Sequence, residues 1–173
     1  AQLDDQAIWE QDISGTGMLL TYYVFFGNPF SFAIEPLVPP SISQPVMGLP
    51  FNKGETWYFT GGPHGGWDSG SAWAALDFAP PGESGNCFTN PLWVTAMADG
   101  LVTRASNGAL IQDLDNDGNE QTGWVILYMH VAGEERAEPG EYLFAGEHVG
   151  HASCEGGILN ATHVHVARKY EGE

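Results

Sequence analysis

No stretch of ten or more residues in this chain repeats its apolar side chains at the 3.6-residue interval of an amphipathic helix. Short apolar runs are instead cut apart by glycine and proline, of which there are 23 and 11, scattered without period. Turn residues at that density favour many short strands, and the strands lie too close together for βαβ units. The expected fold is therefore all-β or β-rich, built on antiparallel pairing. "TWYFTGG" ends in a glycine pair, and "AALDFAPP" is a short apolar strand stopped by prolines. "LWVTAMADGLVTRAS" reads as a hairpin turning at Asp99-Gly100. "GWVILYMHV", "GEHVGHAS" and "THVHVARKY" complete the set of strands.

Two segments precede this texture. Residues 18–27, "MLLTYYVFFG", are too few to cross a bilayer and, rich in aromatic and β-branched side chains, are expected to form a buried strand. Residues 28–50 make a proline-rich connector. The expected organisation is an N-terminal strand and connector over residues 1–50, packed on a domain spanning 51–173. The chain starts with Ala rather than Met, as a processed mature chain would.

Charge narrows the partners. There are 22 acidic residues against 5 basic, a formal net charge of −17. Phosphate neutralisation needs clustered Lys and Arg, so nucleic acid is excluded as a partner, and anionic membranes are disfavoured. Such a surface attracts cations, metals among them. Cys87 and Cys154 allow one disulfide, which would close a long loop worth roughly 4 kcal/mol in the chain-entropy model. Pairing would imply an oxidising, extracellular compartment; the alternative is two buried thiols.

The donors for chemistry stand out against so few cations. In a strand, His163 and His165 share one face, roughly 7 Å apart at Cα, while Val164 and Val166 share the other. In "WVILYMHV", alternation puts Trp124, Ile126, Tyr128 and His130 on one face, so His130 ends an apolar stripe. His64 lies in a glycine-rich loop after a strand. Asp77 sits in "AALDFAP" with apolar neighbours on both sides and no basic residue near it in sequence. A buried carboxylate needs a cation or several donors, and a metal is the attractive partner. Two imidazoles, a carboxylate and water make an ordinary catalytic zinc set. Nitrogen donors favour zinc over calcium or magnesium.

Taken in order, these segments resemble the lysostaphin-type zinc metalloendopeptidases, closest to the staphylolysin (LasA-like) branch, which cut bacterial cell-wall peptides. "GGPHGGWDSGSAWAALDF" places His64 and Asp77 thirteen residues apart, as that branch does. "MADGLVT", "YMHV", "GEHVGHASCEGG" and "HVH" match further motifs, and the likeness covers about residues 50 to 170. The resemblance implies an antiparallel, split-barrel-like sheet domain with long loops. It also implies His64, Asp77 and His165 as zinc ligands, with His130 and His163 as the catalytic pair. His148 and His151 match no family position and read as surface or structural residues. The implied activity is a secreted, zinc-dependent hydrolysis of glycine-containing peptide or peptidoglycan. The alternative, motivated by the acidic surface, is a non-catalytic extracellular structural or binding module that keeps the fold and the metal.

"DLDNDGNEQTG" places Asp113, Asp115 and Asp117 before Gly118, the start of a calcium-loop pattern, although Trp124 takes the position where an EF-hand carries Glu. It reads as a calcium-stiffened hairpin loop with a structural role. Asn160-Ala161-Thr162 is an N-glycosylation sequon, a tripeptide that often arises by chance.

Overall fold

A computed structural model of the chain describes residues 13–28, 40–67, 70–82, 86–157, 159 and 161–173. Asn160, and with it the sequon's glycan acceptor, lies outside the described residues. The chain divides into two units, Ala1–Ser43 and Gln44–Glu173.

The first unit corrects the sequence reading. Residues 18–27 do not form a strand; Ile13–Phe26 is an α-helix, α1. Of those ten residues only Thr21 and Val24 are β-branched, whereas Met18, Leu19 and Leu20 are good helix formers. A strand also needs a ladder partner, and no described strand pairs with this segment. The helix satisfies its own backbone. It ends where Gly27, at φ 79°, donates its N–H to Tyr23 O at 3.2 Å, a left-handed glycine cap. Leu20, Val24, Phe25 and Phe26 are exposed on it. No described helix is long and apolar enough to cross a membrane.

The second unit is the expected β-rich domain. Its strands are β1 Tyr58–His64, β2 Ala75–Ala79, β3 Trp93–Thr95, β4 Gly100–Ser106, β5 Ala109–Asp113, β6 Trp124–Met129, β7 Tyr142–Leu143, β8 His148–His151 and β9 Val164–Tyr170. Among the described residues seven of them pair antiparallel in the order β1-β2-β9-β6-β5-β4-β7, and β3 pairs with β8 in a small second sheet. The end of the proline-rich connector lies along β3: Gly48 N–H donates to Met97 O (2.7 Å) and Thr95 N–H to Pro50 O (3.1 Å).

Residues 92–106 are therefore not a hairpin. β3 and β4 belong to different sheets, and Asp99-Gly100 is the corner between them. Asp99 Oδ1 accepts from Ala145 N–H (2.8 Å), and a Cβ on Gly100 would lie 2.5 Å from Asp113 O. Glycine there lets the chain enter the sheet hard against β5. The tight hairpin sits one strand later, at Asn107-Gly108. Their φ values of 48° and 75° match the positive-φ pair that two-residue hairpins require.

Alternation along the strands loads both faces of the large sheet. Leu110, Ile126, Tyr128, Val164 and Val166 join the main core, while Ala75, Ile111, Val125, Leu127 and Ala167 form a smaller apolar cluster on the other face. One polar network crosses the main core. Met97 N–H donates to Tyr128 Oη (2.8 Å), Tyr128 O–H to Gln112 Oε1 (3.0 Å), and Gln112 Nε2 to Ala98 O (2.8 Å). Each of these bonds satisfies a group that water cannot reach. Cys87 and Cys154 pair, with Cα atoms 5.6 Å apart.

Candidate metal centre

Strand register assembles the centre. In the β2–β9 ladder Asp77 faces His165, and in the β1–β2 ladder Gly61 faces Asp77 while His64 faces Ala75. Asp77, His165 and their neighbours Ala75 and Ala167 thus occupy the face of the smaller cluster. Gly61 makes room there, since a Cβ would stand 2.8 Å from Asp77 Oδ2.

His64 Nε2 lies 2.8 Å from Asp77 Oδ2, and His165 Nδ1 lies 3.2 Å from Asp77 Oδ1. The ligand-capable atoms of these three residues all fall within 4.8 Å of one another. His165 and Asp77 are largely shielded, with side-chain exposures of 8% and 17%; His64, at 38%, is the open side.

The remaining ring nitrogens decide what those atoms are. His165 Nε2 is 2.6 Å from Gly66 O, and His64 Nδ1 is 3.2 Å from Gly65 O. A carbonyl only accepts, so each of these nitrogens carries its proton. In the neutral ring the other nitrogen is then a lone pair, and both lone pairs point at the Asp77 carboxylate. Asp77 Oδ1 is correspondingly buried with no hydrogen-bond partner. Three electron-rich atoms converging without a donor among them call for a cation. The fit to zinc is good: ligand bonds of about 2.0–2.1 Å in a tetrahedron separate the ligand atoms by roughly 3.3 Å, close to the spacings above.

His130 and His163 stand beside this trio. Their rings meet edge-to-face at 4.8 Å, His130 is 5.9 Å from the His165 ring, and His163 Nε2 is 3.9 Å from Asp77 Oδ2. Each is oriented by a backbone carbonyl: His130 Nδ1–H donates to Glu155 O (2.9 Å) and His163 Nδ1–H to Ala161 O (3.0 Å). Nε2 is the free nitrogen in both. Burial, the largest influence, lowers the His130 pKa.

His130 reaches this place against the strand pattern. Alternation holds to Met129, with Ile126 and Tyr128 in the main core, and would send His130 there too. Its φ of 64° breaks the period and turns the ring toward His163 and His165, while Val131 takes the core position. The structure thus brings His64, Asp77, His130, His163 and His165 together. His148 and His151 lie elsewhere, flanking the Trp93 indole at 4.0 and 3.9 Å. Asp113, Asp115 and Asp117 form a separate cluster at the β5–β6 loop, with carboxylate oxygens also within 4.8 Å of one another. The carbonyls of Gly65, Gly66, Ala161 and Glu155 escaped the sequence reading; the glycine pairs flanking His64 and following Glu155 were the available signal.

The antiparallel sheet domain is shared with solved structures of M23 metallopeptidases, which this chain resembles in fold. The M23 metalloprotease pseudoalterin from the deep sea aligns with 25% identity and a TM-score of 0.60, over 76% of this chain and 74% of its own. The catalytic domain of the antimicrobial peptidase lysostaphin from Staphylococcus simulans aligns with 25% identity and a TM-score of 0.42, over 66% and 79%. A zinc-containing peptidase from Vibrio cholerae aligns with 17% identity and a TM-score of 0.49, over 72% and 36%. No protein-family model matches the chain, and no curated protein does.

Proposed function

We propose that this chain is a secreted, zinc-dependent endopeptidase that hydrolyses glycine-containing peptides of the bacterial cell wall, in the manner of the staphylolysin branch. One observation carries the reading: two imidazole lone pairs and a donor-starved carboxylate converge beside two further histidines held by backbone carbonyls. His64 Nε2, Asp77 and His165 Nδ1 would hold the metal. When bound, zinc lowers the pKa of water and polarises a scissile carbonyl.

The chain's own residues supply the proton traffic. His130, whose burial favours the neutral ring, suits the proton-accepting role through Nε2 and later delivers that proton to the leaving amine. His163, with Nδ1–H tied to Ala161 O and Nε2 facing the site, would donate from Nε2 to the developing oxyanion once that nitrogen takes up a proton. The disulfide supports the extracellular placement.

The test is metal analysis of protein purified without added zinc, paired with hydrolysis of oligoglycine and clearing of wall suspensions. Close to one zinc per chain and cleavage between glycines are expected. A zinc content near zero would overturn the reading, and zinc without cleavage across a broad peptide panel would replace it with the non-catalytic module.

We further propose calcium for the Asp113, Asp115 and Asp117 loop, in a structural role. Burial pushes the Asp113 carboxyl up, opposed by the Gly118 N–H and reinforced by the Asp115 carboxylate. A hard cation would relieve that crowding.

A further inference from the structure

The two histidines of the proton-handling pair are mounted on segments that the Cys87–Cys154 disulfide joins. His130 rests on the turn at residues 153–155. Ser153 donates to His130 O from both N–H (2.7 Å) and Oγ (3.0 Å), and Glu155 N–H donates to Ser153 Oγ (3.1 Å). Glu155 O then receives the His130 Nδ1–H, while its carboxylate receives Gly133 N–H at 3.0 Å. His163 follows Thr162, which residues 86–88 grip. Thr162 N–H donates to Asn86 O (3.1 Å), and its hydroxyl accepts from Phe88 N–H (3.0 Å) and donates to Phe88 O (2.6 Å).

Cys87 lies between Asn86 and Phe88, and Cys154 between Ser153 and Glu155. The cross-link therefore fastens one histidine's mount to the other's, and an isolated Ser153–His163 bridge runs beside it. Residues 86–88 belong to no strand, and the covalent link adds to the loop contacts that hold them. The metal donors are held differently. His64, Asp77 and His165 sit on β1, β2 and β9, fixed by the ladders of the large sheet.

We infer that the Cys87–Cys154 disulfide, together with Ser153 and the Glu155 carbonyl, positions the His130–His163 pair independently of metal binding. Its catalytic consequence rests on the peptidase reading; the ring geometry does not. The two rings meet edge-to-face with centroids 4.8 Å apart. A misplacement of about 1 Å in a reacting group can cost on the order of 100-fold in rate.

The experiment compares the full chain with its C87S/C154S double variant and, separately, with Ser153→Ala. Zinc content, kcat and KM on oligoglycine, and two-bond proton–nitrogen correlation spectra of the histidine rings are measured together. The double variant should keep its zinc and its KM to within about threefold, lose about 10- to 100-fold in kcat, and lose the defined Nδ1–H tautomer of His130. Ser153→Ala, which leaves the disulfide in place, should shift the same readings in the same direction by less. It decides the matter if the double variant does not fold. An unchanged tautomer with unchanged kcat would reduce the disulfide to a structural staple, and zinc lost in step with kcat would end the claimed independence. If the parent chain cleaves nothing, the peptidase reading fails, and the tautomer comparison still judges the positioning.

Discussion

Replacing Tyr128 by Phe removes one oxygen from the centre of the domain, and its cost can be worked from the bonds that oxygen makes. Tyr128 is fully buried; its Oη accepts the Met97 N–H at 2.8 Å and its O–H serves Gln112 Oε1 at 3.0 Å. Phe leaves a buried N–H and a buried amide oxygen without partners. Each such group costs about 1–3 kcal/mol. The expected loss is about 2–6 kcal/mol, or roughly 8–24 °C in Tm for a domain of this size. Gln112→Leu alone should also destabilise, since it strands the Tyr128 O–H and Ala98 O. The double variant should lose less than the sum of the two, because replacing both partners removes the unmet demand as well as the bond.

Burial also raises the Tyr128 pKa well above its ordinary value of 10. Above pH 10 the unfolded chain releases this proton while the native chain keeps it. The native state then binds more protons, so stability falls as pH rises past 10. The Phe variant lacks that alkaline decline, and its deficit against the parent should narrow there. Thermal denaturation followed by circular dichroism at pH 7 and 10.5 measures both effects, with zinc content unchanged. A Tm drop under about 2 °C, or strict additivity in the double variant, would refute the network as described.

The remaining expectations concern the two acidic sites and the proton-handling pair. If Asp77 is the anionic ligand proposed above, Asp77→Asn should weaken zinc binding by at least about 100-fold in a chelator competition, given that even partners beyond the ligands are worth about 10–100-fold. Gly61→Ala puts a methyl 2.8 Å from Asp77 Oδ2 and should lower zinc affinity about 10-fold without touching a donor; an unchanged affinity would show the carboxylate has room to spare. His130→Ala should retain zinc and lose about 10²–10⁴-fold in kcat, measured on oligoglycine. Calcium at 100 times its Kd should stabilise the chain by about 2.7 kcal/mol in calorimetry, and Asp113→Asn should abolish the gain.

What could be read from the sequence was whatever a local period or an ordered set of motifs encodes. The alternation of residues 124–129 was legible, as was the shared face of His163 and His165, because period two follows from the pleat itself. That these five histidine and aspartate side chains belong together was implied only by the resemblance, although Asp77 by itself already called for a cation. Asp77 and His165 meet through a ladder between strands distant in sequence, and nothing local to either announces the pairing. Two failures have a common physical root. Residues 18–27 were read by their side chains, yet a ladder partner decides whether such a run can be a strand, and among the described residues none is offered. His130 was read by alternation, yet one left-handed φ of 64° moved it to the opposite face.

The orienting carbonyls of Gly65, Gly66, Ala161 and Glu155 belong to a third kind of information, since any residue supplies a carbonyl. What the sequence does record is where backbone must come close to a ring or another strand. A Cβ on Gly157 would lie 3.2 Å from His130 Cε1, one on Gly66 would lie 3.4 Å from Ala167 Cβ, and one on Gly108 would collide with Glu155 at 2.4 Å. Those glycines mark the approaches that aim the rings. In a site where every histidine has one nitrogen tied to the main chain, the absence of a side chain carries as much of the chemistry as the imidazoles do.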